Sequence, residues 1–221
     1  MRSQLLGLLG ALLLCACSTS LQGVGDAYRV VRTTGARNSG DTGGLDPTYS
    51  WLRFTLHGHS TVFALGYVDP DPNGAIEVWY GAGREVLRLQ NGRVIDTAGL
   101  PVNWSSVRFS ARPAWQSANA SLTFTRTRDV MPGYQFGVVD TLMLAPIKPP
   151  SGSDLTGIAP AELTWFEETS RGSQPLPRAR YAVATQGGKA IVVYGEQCLS
   201  KAFCLSWQRL PARAPEKSHA E

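Results

Sequence analysis

Few residues in this sequence are equipped for chemistry, and they are scattered. His57-Gly58-His59 is the only His cluster. On a strand, residues i and i+2 share a face, so both rings could reach one metal. A metal site needs at least a third ligand, and no spacing locates one, so no metal site is assigned. Gly58-His59-Ser60-Thr61-Val62 begins like a nucleophile elbow. It lacks the closing Gly and the helix that should follow. Gly81-Ala82-Gly83 begins like a dinucleotide loop and fails for the same kind of reason. Glu167 and Glu168 form a carboxylate pair, but neighbours on a strand face opposite sides and cannot build one glycosidic site. Glu77, Asp96, Asp140 and Glu196 remain as acids that no spacing brings together. No cofactor is expected, and the chain reads as a non-enzyme.

The cysteines say more. Residues 1–16 have Arg2, an apolar run from Leu5 to Leu14, and then Leu14-Cys15-Ala16-Cys17. The run is too short to span a bilayer and fits a signal peptide. Leu at −3, Ala at −1 and Cys at +1 match a lipobox cut before Cys17, so Cys17 is the expected lipidation site. Buried acyl chains contribute about 0.8 kcal/mol per CH₂, so two or three of them anchor a soluble body stably. Ser18 at +2, by resemblance to enterobacterial lipoproteins, favours the periplasmic face of the outer membrane. With Cys15 removed and Cys17 acylated, Cys198 and Cys204 are left as a disulfide pair in an oxidising compartment.

These residues must be carried by a β scaffold. The 221 residues include 43% hydrophobic but only 17% charged, with 23 Gly, 14 Pro and six Trp. That composition excludes disorder and a helical bundle. Net charge is +4, from scattered Arg with no basic arm, so no nucleic-acid partner is expected. Residues 17–48 read as a lipidated flexible tether with one possible element at Ala27 to Arg32. Residues 49–211 show short apolar runs separated by turns every 8–15 residues, and 212–221 read as a tail. The fold expected is all-β, a strongly curved antiparallel sheet or incomplete barrel or sandwich. Twelve strands are expected: 49–56, 60–68, 75–80, 84–90, 93–97, 106–110, 121–128, 134–145, 161–169, 180–186, 189–194 and 205–210. The run 134–145 is apolar on both faces and is expected to be central. About two of the six Trp are expected at the surface, where they could line a glycan groove.

The hairpin over 84–97 is the clearest local element. Asn91-Gly92 suits a two-residue turn with φ > 0 at both positions. It pairs Gln90 with Arg93, Leu89 with Val94, and Leu87 with Asp96. Leu87, Leu89 and Val94 then share the core face, and Arg93, Ile95 and Thr97 lie opposite, free to bind. The other possibility for Arg93 is a structural one, paired with Glu85 or Asp96.

Two segments carry a family likeness: Gly92-Arg93-Val94-Ile95-Asp96-Thr97-Ala98-Gly99-Leu100-Pro101, and Tyr194-Gly195-Glu196-Gln197-Cys198-Leu199 followed by Cys204-Leu205-Ser206-Trp207-Gln208-Arg209. With the lipobox, they resemble the YjbF/GfcB family of group 4 capsule lipoproteins. Its signature falls on Arg93, Thr97, Gly99 and Leu100. The resemblance implies a mainly β lipoprotein serving production or export of capsule or exopolysaccharide. Its partners would be an outer-membrane barrel protein, a periplasmic protein and the polysaccharide itself. No catalytic residues come with it. The alternatives are a lipid- or glycan-binding carrier and, behind it, a polysaccharide-modifying enzyme.

Overall fold

The computed structural model describes residues 26–27, 29–32, 44–115 and 121–210. Twelve antiparallel strands follow one another as a meander: β1 (Trp51–Leu56), β2 (His59–Asp69), β3 (Ile76–Tyr80), β4 (Val86–Gln90), β5 (Arg93–Ala98), β6 (Asn103–Phe109), β7 (Leu122–Met131), β8 (Gln135–Ile147), β9 (Thr164–Gly172), β10 (Ala179–Gln186), β11 (Lys189–Cys198) and β12 (Cys204–Arg209). They form one sheet in the order β5-β4-β3-β2-β1-β12-β11-β10-β9-β8-β7-β6. The sheet curls into a nearly closed barrel. At the seam between its edge strands, the Trp104 N–H donates to Thr97 Oγ1 at 3.0 Å. Every expected strand is present, with ends shifted by a few residues.

Local chemistry explains the meander. His57-Gly58, Asn91-Gly92 and Gly187-Gly188 each form a two-residue turn with both φ values between 49° and 78°. Such turns match the right-handed twist of the strands they join. Within strands, period-2 alternation selects the inner face, for example Leu52 and Phe54 on β1, both buried. The main core contains Trp79, Trp104, Trp115 and Trp207 among aliphatic residues from nearly every strand.

The hairpin β4–β5 departs from its expected register beyond the turn. Gln90 pairs Arg93 and Leu89 pairs Val94, as expected, but Leu87 pairs Thr97 and Arg88 pairs Asp96. A bulge adds one residue on β5 between these pairs, which moves Thr97 to the inner face. Gly92 (φ +74°) also lies where a Cβ would come within 2.4 Å of Val192 Cβ on β11, so the hairpin tip reaches across to the far wall. As a result β5 is covered on both faces, and Arg93, Val94, Ile95 and Thr97 are each less than one tenth exposed.

Two other expectations change, and the possible element at Ala27 to Arg32 is present as helix at the described positions. β8 lies between β7 and β9, but only one face is buried, and Phe136, Val139 and Met143 are open to solvent. Its run of apolar residues therefore does not mark a strand covered twice. All six Trp are buried, so no exposed Trp groove exists. Within the stretch read as a tether, residues 26–27 and 29–32 are helical, and Ala27 and Val31 pack on Trp51, Val62 and Ala64. Two apolar positions four apart place one helical stripe on the outer wall of β1 and β2. Cys17 and the tail 212–221 lie outside the described residues.

Candidate functional site

The barrel interior holds a buried network of arginine and carboxylate side chains. On β7, Phe124, Arg126 and Arg128 point inward together by strand parity. On β8, Asp140 shares the inner face with Leu142 and Leu144, and on β9 Glu168 shares it with Phe166. Arg126 donates to Asp140 Oδ2 through Nε at 3.0 Å and Nη2 at 2.8 Å. Arg128 donates through Nε to Asp140 Oδ2 at 2.8 Å and through Nη2 to Oδ1 at 3.3 Å. Arg93 Nε donates to Glu168 Oε2 at 3.0 Å, and Arg126 Nη1 lies 3.8 Å from Glu168 Oε1. All five side chains are at most 3% exposed.

Three guanidinium groups face two carboxylates here, and aromatic faces take up the excess positive charge. The Arg93 guanidinium carbon lies 4.2 Å from the Trp115 ring centre, with Phe124, Tyr181 and Phe109 rings at 5.5, 5.5 and 5.9 Å. Arg126 and Arg128 lie over Trp104. Cations over ring faces are attracted to the ring quadrupole, more strongly where water is excluded. Arg93 Nη2 has no hydrogen-bond acceptor among the described residues and sits amid these rings. Tyr181 donates to Gln197 Oε1 at 3.0 Å, which also accepts from the Val94 N–H. Burial first, then the Glu168 charge, pushes the Tyr181 hydroxyl far above the usual phenol range. A cavity of about 10 Å³ beside Arg126, Glu168 and Ser170 is large enough for one water. The interior is therefore filled, and its acids are engaged by neighbouring arginines.

Arg93 and Thr97 thus form no interaction surface, because both side chains are consumed inside. Gly99 (φ +73°) has no room for a Cβ, which would lie 2.7 Å from the Arg84 carbonyl oxygen, and Leu100 is a core residue. Arg93, Thr97 and Leu100 thus belong to the seam and the buried network. Glu85, one charge partner considered for Arg93, instead accepts from the Gly83 N–H at 2.9 Å. Cys198 and Cys204 form a disulfide across the β11–β12 pair. Glu167 and Glu168 do face opposite ways. Glu167 meets Arg178 and Arg180 outside, and Glu168 meets Arg93 inside. Of the four scattered acids, Glu77 pairs with Arg209, Asp140 with Arg126 and Arg128, and Glu196 with Tyr194 and Arg180. Asp96 lies against Arg88 on the outer side of its hairpin, and burial holds its carboxyl above the usual range. His57 and His59 are exposed at the β1–β2 turn, and among the described residues no group of three His, Cys, Asp or Glu could hold a metal.

An accessible concavity, a cleft of about 600 Å³, lies on the outer wall. Its floor is the outward face of β1, β12 and β11, with Trp51, Arg53, Gln208, Ile191 and Val193. One bank is the segment from Leu45 to Ser50 and the other is Thr156 to Ile158. Both banks are bonded to the barrel. Trp51 Nε1 donates to the Asp46 carbonyl at 2.7 Å. The Asp46 carboxylate accepts from the N–H and hydroxyl of Thr48, which holds its pKa below the usual value. Across the cleft, the Thr156 N–H donates to Gln208 Oε1 at 3.0 Å, and Gln208 Nε2 returns a bond to the Thr156 carbonyl at 2.7 Å. Ser206 donates to Asp154 at 2.6 Å. The Asp154 N–H donates to the Tyr194 hydroxyl, which donates to Glu196. Arg53 Nη1 donates to Thr156 Oγ1, a neutral hydroxyl. The cleft is preformed, walled by Leu45, Ile158, Ile191, Val193 and Leu210, and carries one cation whose bonded partner is neutral.

Sequence reasoning missed both features. For the network, a signal existed: strand parity puts Arg126 and Arg128 in line with Phe124, Asp140 with Leu142, and Glu168 with Phe166. For the cleft there was none, since its banks are loops.

No protein-family model and no curated protein matches the sequence. Among solved structures, the chain is similar to the hypothetical lipoprotein YmcC from Escherichia coli K12. The two align with a TM-score of 0.59 at 18% identity, over 82% of this chain and 96% of that one. At that identity the likeness is one of fold.

Proposed function

We propose that this chain is a lipid-anchored, non-enzymatic accessory protein for producing or exporting capsule or exopolysaccharide at the outer membrane. The observation that carries this reading is a barrel matching a lipoprotein along nearly the whole of that protein's length, in a chain with a lipobox at Cys17. The resemblance of the Gly92–Pro101 and Tyr194–Arg209 segments to group 4 capsule lipoproteins supplies the process. The filled interior supports a scaffold that works through its outer surface, together with an outer-membrane barrel protein and periplasmic proteins. A second reading, a carrier of lipid or glycan, is favoured by the outer cleft and not by the lumen, where Arg, Trp and Leu side chains leave no room for cargo. In a strain whose only copy carries Cys17→Ala, the protein should leave the membrane fraction and surface polysaccharide should fall. Normal surface polysaccharide in a strain lacking the gene refutes the reading.

A further inference from the structure

We infer that the outer cleft is a binding site for an anionic phospholipid of the membrane to which the chain is anchored. The inference rests on acylation of Cys17. Its first support is reach. Eight residues, nine Cα–Cα steps, separate Cys17 from Asp26, where the described helical segment begins. Fully extended, they span at most about 32 Å. The helical segment packs on Trp51 together with Leu45, Tyr49 and Leu210, and all four of these residues also line the cleft. Docking of this segment therefore shortens the link to the bilayer from the whole of 17–48 to the eight residues 18–25. It puts the cleft on the tethered side of the barrel.

The second support is chemistry. The walls at Leu45, Ile158, Ile191, Val193 and Leu210 offer an apolar path for part of an acyl chain. At the floor stands Arg53, bonded to the neutral Thr156 hydroxyl. A phosphodiester brings the opposite charge and oxygen acceptors that match a guanidinium fork. A volume of about 600 Å³ lies within the range of small-molecule sites. An acidic sugar would satisfy Arg53 equally well, but would leave the five aliphatic walls facing hydroxyls.

The test uses the full mature chain with Cys17→Ala, so that the anchor itself cannot insert. Co-sedimentation is measured with vesicles of phosphatidylcholine alone and with added phosphatidylglycerol. Binding should require phosphatidylglycerol. It should fall about fivefold in Arg53→Gln, the effect of one cation near an anionic surface, and return only in part in Arg53→Lys, which keeps the charge without the fork, with melting temperatures unchanged in both. Absence of binding, or equal binding by Arg53→Gln, overturns the assignment. So does Arg53-dependent binding of a soluble acidic oligosaccharide with no binding to vesicles, which would make the cleft a glycan site. Mass spectrometry of the wild-type N-terminus separates the premises. An unmodified Cys17 removes both the anchor and the reach argument, whereas an acylated Cys17 with lipid-blind Arg53 removes only the cleft.

Discussion

Arg93→Ala tests whether this arginine holds the fold or presents a surface. Arg93 is 2% exposed, donates to Glu168 at 3.0 Å, and lies against four aromatic rings. Truncation leaves Glu168, itself buried, with Arg126 at 3.8 Å as its remaining cation. Removing one partner of a buried ion pair costs about 3–5 kcal/mol, because the other charge stays in a medium that solvates it poorly. A void beneath Trp115 adds to this. For a domain of this size, each kcal/mol shifts Tm by roughly 2–4 °C, so a fall of about 6–20 °C is expected. Urea melts of wild type, Arg93→Met, Glu168→Gln and the double variant isolate the pair. Met retains volume and Gln removes the orphaned charge, so the double variant should be less destabilised than the sum of the singles by about 0.5–3 kcal/mol. An Arg93→Ala protein within 1 kcal/mol of wild type would refute this account of the interior.

Three further outcomes follow from the geometry. Gly92→Val should destabilise by at least about 2 kcal/mol, from left-handed strain and collision with Val192, read by chemical denaturation; a neutral result would mean the hairpin does not reach β11. Native protein should show no free thiol at Cys198 or Cys204, and Cys198→Ser/Cys204→Ser should lose on the order of 2 kcal/mol, since the bridge closes a loop of only about seven residues. Burial raises the Glu196 pKa, so the folded state takes up a proton that the unfolded state has already released, and stability from this group falls as pH rises from about 4.5 through the folded value. Glu196→Gln should therefore gain on wild type as pH increases across that window in thermal melts, while a constant difference would contradict the shift.

How far the sequence reached depended on whether a feature was local. The strand meander was legible because each turn carries its own chemistry, as at Asn91-Gly92. The bulge on β5 was not, since an extra residue beyond the turn leaves the turn signal unchanged. Parity counted from the turn set Arg93 opposite Leu89, which is correct along the strand. Placing it in solvent failed because the hairpin tip lies against Val192 and Trp115 arrives from the β6–β7 connection, neither encoded nearby. The β8 error runs the other way: Phe136, Val139 and Met143 read as buried by type, yet no segment covers that face among the described residues.

The same distinction bears on function. A barrel whose lumen is occupied by Arg93, Arg126, Arg128, Asp140, Glu168 and their aromatic neighbours has little freedom to change inside, because each charged member is costly to remove singly. Variation in what such a barrel recognises must then fall on its outer face. Here that face is shaped by two stretches without strand periodicity, the helical segment with its following loop at 44–50 and the connection between β8 and β9. Each is fixed to the wall by its own apolar cluster, one under Trp51 and one around Trp165 and Tyr194. The cleft exists because the two clusters do not meet over β12. Exchanging either bank should change what is bound and leave the fold intact, whereas the enclosed Arg93, Thr97 and Leu100 should tolerate almost no exchange.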